Sequence, residues 1–427
     1  MADLDPSPSR SRVLSQTVIV AGALGLAQVL GYALSVIAAR VLGPDQFGIL
    51  AALLGILLIG NVVAMGIQAV AARRLVQGDS SDRSGASRTI LLDGLVAGLA
   101  VAGATLVVSP LLMWVLRLDQ WLLLLLVAVA FIPLTWSGAQ LGVAQGREEY
   151  MRLATVYVCL GVGRGVGGVA GALAGGTVGW TILGLTVGTI VGALAGRVAV
   201  APLARAPRVR LEHFTRETAH ATHALLALFV LTNVDVLLAR ALLTPDQAGQ
   251  YGVGAVIAKV AFWLPQFIGV VAFPRFADAR RARATVISLS AVAGIGAVVT
   301  LVTALVPGLV VGFVGGAAYA ELVPYAWMFA AIGAMFATAQ ALLLTRLAVD
   351  DRRAVIAIWT AALLLIALAV LVMPRTVPGL ATSALIAGSC LAVVGLIVTL
   401  VELRAGARRG GPPRDHSTAV SGQGAGA

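Results

Sequence analysis

The sequence predicts an all-α integral membrane protein of about twelve transmembrane helices, arranged as two six-helix lobes with both termini in the cytoplasm. Three observations predict it. The chain of 427 residues is 59% hydrophobic and only 11% charged, too little charge to cover a water-soluble molecule of this length. Apolar windows of about 20 residues, enough to cross roughly 30 Å of hydrocarbon, recur along it. One polar break is also repeated. Ala39-Arg40-Val41-Leu42-Gly43-Pro44-Asp45-Gln46-Phe47-Gly48, between the first two windows, returns as Ala239-Arg240-Ala241-Leu242-Leu243-Thr244-Pro245-Asp246-Gln247-Ala248-Gly249 between the first two windows of the second half. A repeat at corresponding places marks two related halves.

Residues 1–12 are polar and contain Pro and Ser, and are read as a cytoplasmic segment. The apolar run that follows is too long for a removable signal peptide and lacks a small-residue cleavage pattern, so it is read as a retained first span. Twelve windows fall near 13–40, 47–72, 89–113, 120–144, 153–174, 177–200, 221–243, 248–273, 284–312, 321–346, 353–373 and 378–403. The first six make an N-lobe over 13–200 and the last six a C-lobe over 221–403. Between the fifth and sixth, Gly175-Gly176 supplies a minimal turn. The connection at 201–220 carries Arg, Glu and His with a few apolar residues, which suits an amphipathic cytoplasmic segment. The tail at 404–427, rich in Gly, Pro, Arg and Ser, has no apolar period and reads as disordered.

Orientation follows from arginine. With the N-terminus inside, the outer connections hold Arg40, Arg117, Arg240 and Arg375, and every other window-flanking arginine collects on the cytoplasmic side. This is the bias of the positive-inside rule in a multi-pass plasma-membrane protein. The net charge of +11 is scattered through short connections rather than gathered on one domain, which speaks against a nucleic-acid partner.

Enzyme signatures are missing: no H-E-x-x-H, P-loop or G-x-S-x-G pattern occurs, and the glycine-rich stretch from Gly161 to Gly168 lies inside a window rather than after a strand. A transporter without covalent chemistry or cofactor is the expectation. Gly167, Gly171, Gly175 and Gly179 repeat every four residues, a spacing that lets a neighbouring helix approach closely. Cys159 and Cys390 read as small buried hydrophobes. His213, His220 and His223 near the central connection lack the carboxylates or cysteines of a ligand set, so no metal site is expected.

Charges in mid-span cost about 2.5–3.5 kcal/mol each on insertion scales, and they normally face a bundle interior or an aqueous cavity. Arg164, Asp235 and Lys259 are such charges, and Lys259 is the only lysine in the chain. Asp235, in Thr232-Asn233-Val234-Asp235, and Lys259 lie on either side of the Pro245-Asp246 turn, at similar depth in an antiparallel hairpin. They form either a structural ion pair that locks the seventh and eighth spans, or a titratable pair in a cavity. In the second case Asp235 binds a proton or cation and Lys259 meets an anionic cargo group. Arg164 has no carboxylate on its own helix. Asp93 of the third window is one candidate partner and a bound phosphate the other, since the planar fork can make two parallel bonds to one anion. Pro133 and Pro265 are expected to interrupt their helices, either as kinks or as breaks that line a cavity.

The 39–48 stretch resembles the first loop, A-R-x-L-G-x-x-x-F-G, of the polysaccharide (Wzx-type) flippases of the multidrug/oligosaccharidyl-lipid/polysaccharide exporter superfamily. The resemblance extends to Asn233-Val234-Asp235, to Ala248-Gly249-Gln250-Tyr251-Gly252 and to Phe273-Pro274-Arg275, and the twelve windows carry it over nearly the whole chain. It implies a MATE-like, V-shaped pair of lobes that opens alternately inward and outward, moving an undecaprenyl-pyrophosphate-linked sugar unit to the outer leaflet. Such flippases use cationic cavity residues for the pyrophosphate. Arg164 and Lys259 match that need in type, with Asn233 beside them as a substrate-binding residue and Asp235 with Lys259 as coupling group or ion pair. The partners implied are the lipid-linked glycan, membrane lipid, a proton or sodium gradient, and glycan polymerases or glycosyltransferases. Two other readings stand beside this one: a cation-coupled multidrug antiporter with Asp235 as its coupling site, and a non-transporting membrane scaffold for glycan assembly.

Overall fold

A computed structural model describes residues 10–78, 83–209, 211–272, 281–347 and 352–409. Among them every regular element is helical, the form in which a segment at membrane depth satisfies its own amides. The first lobe consists of α1 (Arg10–Gly60), α2 (Val62–Gln77), α3 (Arg83–Leu116), α4 (Trp121–Gly146), α5 (Tyr150–Gly175) and α6 (Val178–Val200). The second consists of α7 (Phe214–Leu231), α8 (Val234–Leu242), α9 (Pro245–Ala272), α10 (Arg281–Leu305), α11 (Pro307–Val314), α12 (Ala326–Leu347), α13 (Arg352–Ala367) and α14 (Val377–Arg409).

Eight helices among the described residues are long and apolar enough to cross a membrane, and ten when each of two bent pairs counts as one span. The first of these, Val18–Gln77, is 60 residues long and is divided at Gly43, whose φ of 73° and ψ of 173° leave the helical region. A residue before proline avoids the α region, and positive φ suits glycine, so Gly43-Pro44 ends one crossing and begins the next. At Asn61 the ladder continues, with the Asn61 amide donating to Leu57 O at 2.9 Å, so α2 prolongs the second crossing. α9, 28 residues long, completes the twelve.

Several local expectations meet their counterparts. α5 stops at Gly175, Gly176 adopts φ 61° and donates to Ala172 O at 2.9 Å, and Thr177 caps α6. The glycine spacing brings α5 onto α6: a Cβ on Gly163 would land on the Gly188 carbonyl, and one on Gly167 on the Gly184 carbonyl. In lipid, where burial of apolar surface drives little, such close backbone approach is what holds helices together. The series runs out after Gly175, since Gly179 touches only Thr177.

Other expectations are corrected. Of the kink or break expected at Pro133 and Pro265, the break is corrected: α4 and α9 run on through both prolines, because one missing amide does not stop a helix of 26 or 28 residues. The break in the second lobe lies instead at Thr232-Asn233. α7 begins at Phe214, within the connection expected at 201–220, and α14 runs to Arg409, past the expected start of the tail. Cys390 is exposed on α14 rather than buried. Phe273-Pro274-Arg275 and residues 410–427 lie outside the described residues.

The lobes meet at both ends. At the outer end the two copies of the repeated turn pack on each other: a Cβ on Gly249 would land on the Pro44 carbonyl, and one on Gly48 would lie 2.9 Å from Gly249 N. The repeated arginines reach across reciprocally. Arg40 of the first lobe donates to the carbonyls of Gly312 and Phe313 at 3.0 and 2.6 Å, at the C-terminal end of α11. Arg240 of the second donates to those of Leu116 and Arg117 at 3.1 and 3.3 Å, at the end of α3, where a cation complements the helix dipole. Phe47 stacks edge-on against Tyr319 with centroids 6.3 Å apart, and Tyr319 donates to Ala39 O at 3.0 Å. At the arginine-rich end, Arg73 and Arg74 of α2 pair with Glu217 of α7 at 2.8 and 2.7 Å.

Candidate functional site

In the second lobe the side chains of Thr232 and Asn233 compete for backbone carbonyls of the preceding turn, as short polar side chains do: Leu228 O keeps the Thr232 amide at 3.0 Å, while the Asn233 amide shifts to Val230 O at 3.2 Å. Thr232 Oγ1 donates to Leu228 O at 3.0 Å, and Asn233 Nδ2 donates to Phe229 O at 2.9 Å. α7 therefore ends and α8 starts afresh, with Asp235 in its first turn, where the helix dipole favours an anion. Asn233 and Asp235 are only 3% and 4% exposed.

These residues line a cavity of about 230 Å³ together with Thr232, Lys259, Gln340 and an apolar wall that includes Phe229, Phe262, Trp263 and Phe336. Leu58 and Met65 of the first lobe close one side, which puts the cavity at the boundary between lobes. Asp235 and Lys259 share it, and no ion pair joins them among the described residues. The Asp235 carboxylate turns instead to Tyr251, whose hydroxyl donates to Oδ2 at 3.0 Å. Tyr251 stands about two helical turns nearer the Pro245 turn than Lys259 does, and meets the carboxylate first. The other oxygen, Oδ1, and the side-chain oxygen of Asn233 have no hydrogen-bond partner among the described residues.

Arg164 is placed by glycines. Gly161, Gly165 and Gly168 of α5 pack on Ala27, Leu30 and Leu34 of α1, and the guanidinium reaches α1 one turn on, where a Cβ on Gly31 would lie 3.8 Å from Nη2. No carboxylate or hydrogen-bond acceptor pairs with Arg164 among the described residues, Asp93 included. The next residue of α1, Tyr32, donates to Lys259 O at 3.3 Å. Consecutive residues of one helix thus touch the Arg164 side of one lobe and the Lys259 backbone of the other. The site draws together Asn233, Asp235 and Lys259, and holds Arg164 across α1 from them.

The residues that reading the sequence missed are Tyr251 and Tyr32. Tyr251 follows Asp235 by 16 residues in the same hairpin, a spacing that puts the two within reach without fixing that they meet. The histidines stand apart: His213 precedes α7, and the His223 ring lies 6.2 Å from Trp359.

A family described as polysaccharide biosynthesis protein matches residues 13–280. Two solved structures share the architecture at low identity. The lipid II flippase MurJ, in an inward closed conformation, is 11% identical, with 91% of this chain and 87% of that chain covered and a TM-score of 0.72. An inward-facing multidrug resistance MATE family transporter of the MOP superfamily is 10% identical, with 92% and 100% covered and a TM-score of 0.70. No curated protein sequence matches.

Proposed function

This chain belongs to the polysaccharide biosynthesis protein family, and from that membership and the unpaired mid-span cation Arg164 we propose that it is a flippase for a lipid-linked oligosaccharide. The cargo is an undecaprenyl-pyrophosphate-linked glycan, carried across the plasma membrane by alternating access and without covalent chemistry.

Arg164 carries the reading. Among the described residues nothing compensates its cost in hydrocarbon, and its helix is already packed through glycines, so the charge is not there to hold the lobe together. A guanidinium fork matches a phosphate. Lys259 supplies a second cation on the far side of α1, and Asn233, whose Nδ2 donates to Phe229 O and Thr232 Oγ1, offers its side-chain oxygen as an acceptor. With the site empty, Asp235 offsets the Lys259 charge across the cavity, and a pyrophosphate takes over that role when cargo arrives. A cavity of about 230 Å³ has room for the charged linkage rather than the whole glycan, so the sugars extend toward water and the lipid tail stays in the bilayer. Glycosyltransferases would supply this cargo and a polymerase would consume it.

The test is a reconstituted flipping assay in liposomes with a pyrophosphate-linked glycolipid. Arg164→Met and Lys259→Met each remove a charged contact, so each should slow transport by about 10- to 100-fold without loss of membrane insertion. Full activity in both variants would sink the proposal.

A cation-coupled antiporter is the second reading, favoured by the two buried oxygens on Asn233 and Asp235 that lack donors. Such acceptors suit a proton or a sodium ion. Drug efflux that follows either gradient, with no effect on glycolipid movement, would support it over the flippase.

A further inference from the structure

A second polar cluster lies in the first lobe, toward its arginine-rich end. The Gln68 amide Nε2 of α2 donates at 3.0 Å both to Gln145 Oε1 of α4 and to the Tyr157 hydroxyl of α5. We infer that Gln68, Gln145 and Tyr157 form a sugar subsite that takes hydroxyls of the first sugar while Arg164 holds the phosphate to which it is attached. This inference rests on the flippase reading and extends it to the recognition of the glycan.

Position supports it. Tyr157 and Arg164 are seven residues apart and share one face of α5. That face lies between the side packed on α1 through Gly161, Gly165 and Gly168 and the side packed on α6 through Gly163 and Gly167, so both residues look into the interior of the lobe. Seven residues rise about 10 Å along the axis, the reach of a diphosphate bridge and the sugar ring beyond it. The order along the helix is also right, with the sugar on the cytoplasmic side of the phosphate, where a longer glycan can continue into water.

Chemistry supports it as well. Two carboxamides and a phenol offer neutral donors and acceptors, which fit hydroxyls and neither an ion nor an acyl chain. A purely structural tie looks different in this same lobe. Gln140 of α4 is fully buried and donates to Ala193 O at 3.0 Å, whereas Gln145 is exposed and Gln68 and Tyr157 are half-buried. An exposed amide such as Gln145, and a half-buried one such as Gln68, carry less burial cost for a mutual bond to offset than Gln140 does, and they can exchange that bond for a ligand's.

Equilibrium binding by the purified full chain to undecaprenyl pyrophosphate, bare or carrying glucose, galactose or N-acetylglucosamine, tests the assignment. The wild type should bind at least one glycosylated probe about tenfold more tightly than the bare lipid, the worth of one or two neutral hydrogen bonds. Gln68→Leu and Tyr157→Phe should bring that ratio toward one and leave affinity for the bare lipid unchanged. Arg164→Met should weaken all probes together. A wild type that does not distinguish sugar from bare lipid, or variants that weaken both equally, overturns the sugar subsite and leaves the flippase reading standing. Failure of the wild type to bind any probe, or full affinity in Arg164→Met, overturns the flippase reading and the subsite with it.

Discussion

At Asp235 one carboxylate oxygen accepts the Tyr251 hydroxyl at 3.0 Å, and among the described residues the other meets no side-chain donor. Removing this side-chain donor with Tyr251→Phe should lower stability by about 1–3 kcal/mol, the cost of weakening a buried acceptor's bonding. Thermal unfolding in detergent would read this as a lowered midpoint. The double variant Tyr251→Phe/Asp235→Asn should lose less than the two single losses combined, because both remove the same bond. An unchanged midpoint in Tyr251→Phe would show that the bond contributes nothing. Arg164, Asp235 and Lys259 were legible in the sequence, since a charge in the middle of an apolar window stands out by its insertion cost. Tyr251 was not, because a tyrosine in such a window carries no comparable penalty. Its partner depends on how α9 is rotated against α8, which spacing alone leaves open.

Among the elements, the outer turns are the most constrained by sterics. The backbone of Gly249 sits against the Pro44 carbonyl, and no side-chain movement can relieve a Cβ placed there. Gly249→Val should therefore hold the outer end of the lobes apart. The measure is labelling of Ala255→Cys, which lines the cavity, by a membrane-impermeant maleimide added from outside, in a Cys159→Ala/Cys390→Ala background. Labelling should be faster with Gly249→Val than without it, and equal rates would mean that the turns do not seal the outer side. The two hairpins could be read from the repeat and the Gly175-Gly176 turn from its glycines, but the meeting of the two hairpins could not, as periodicity describes one helix at a time. The misplaced break has a clear cause. Proline at 133 and 265 removes one ladder bond from a long helix, whereas Thr232 and Asn233 actively compete for the carbonyls of the turn before them.

For the whole molecule, the two lobes touch at two ends, the outer turns and the arginine-rich side. The inner one is electrostatic: Arg73 and Arg74 pair with Glu217 at 2.8 and 2.7 Å, and Arg74 also donates to Glu212 O at 2.6 Å. Arg73 is well exposed, so its pair contributes less than about 1 kcal/mol, whereas Arg74 holds both Glu217 oxygens at 3.1 and 2.7 Å; reversing the charge with Glu217→Arg should move the open population by at least about fivefold. Spin labels on the inner ends of α2 and α7 would report a longer distance in Glu217→Arg. Arg74→Glu in the same chain should restore the shorter distance, and 1 M salt should weaken the effect. A distance distribution indifferent to all three changes would remove this bracket from the account of closure. Twelve crossings in two halves could be read from composition and repeat. The bracket could not, because Arg73, Arg74 and Glu217 look like ordinary charges beside a membrane span.

The reciprocal reach of Arg40 and Arg240, and the packing of one Pro-Asp-Gln turn on its own counterpart, form the kind of contact that two identical subunits make about a rotation axis. Six crossings per half insert both halves the same way up, so the axis stands along the membrane normal. A half-length ancestor pairing with itself would already own the outer seal. Joining two such halves into one polypeptide would free each to change alone, and the places equivalent to Asp235 and Lys259 hold Ser35 and Leu58. Duplication thus separates two inheritances, a gate kept symmetric because both sides of it must fit, and a binding chamber whose chemistry could become one-sided without disturbing that fit.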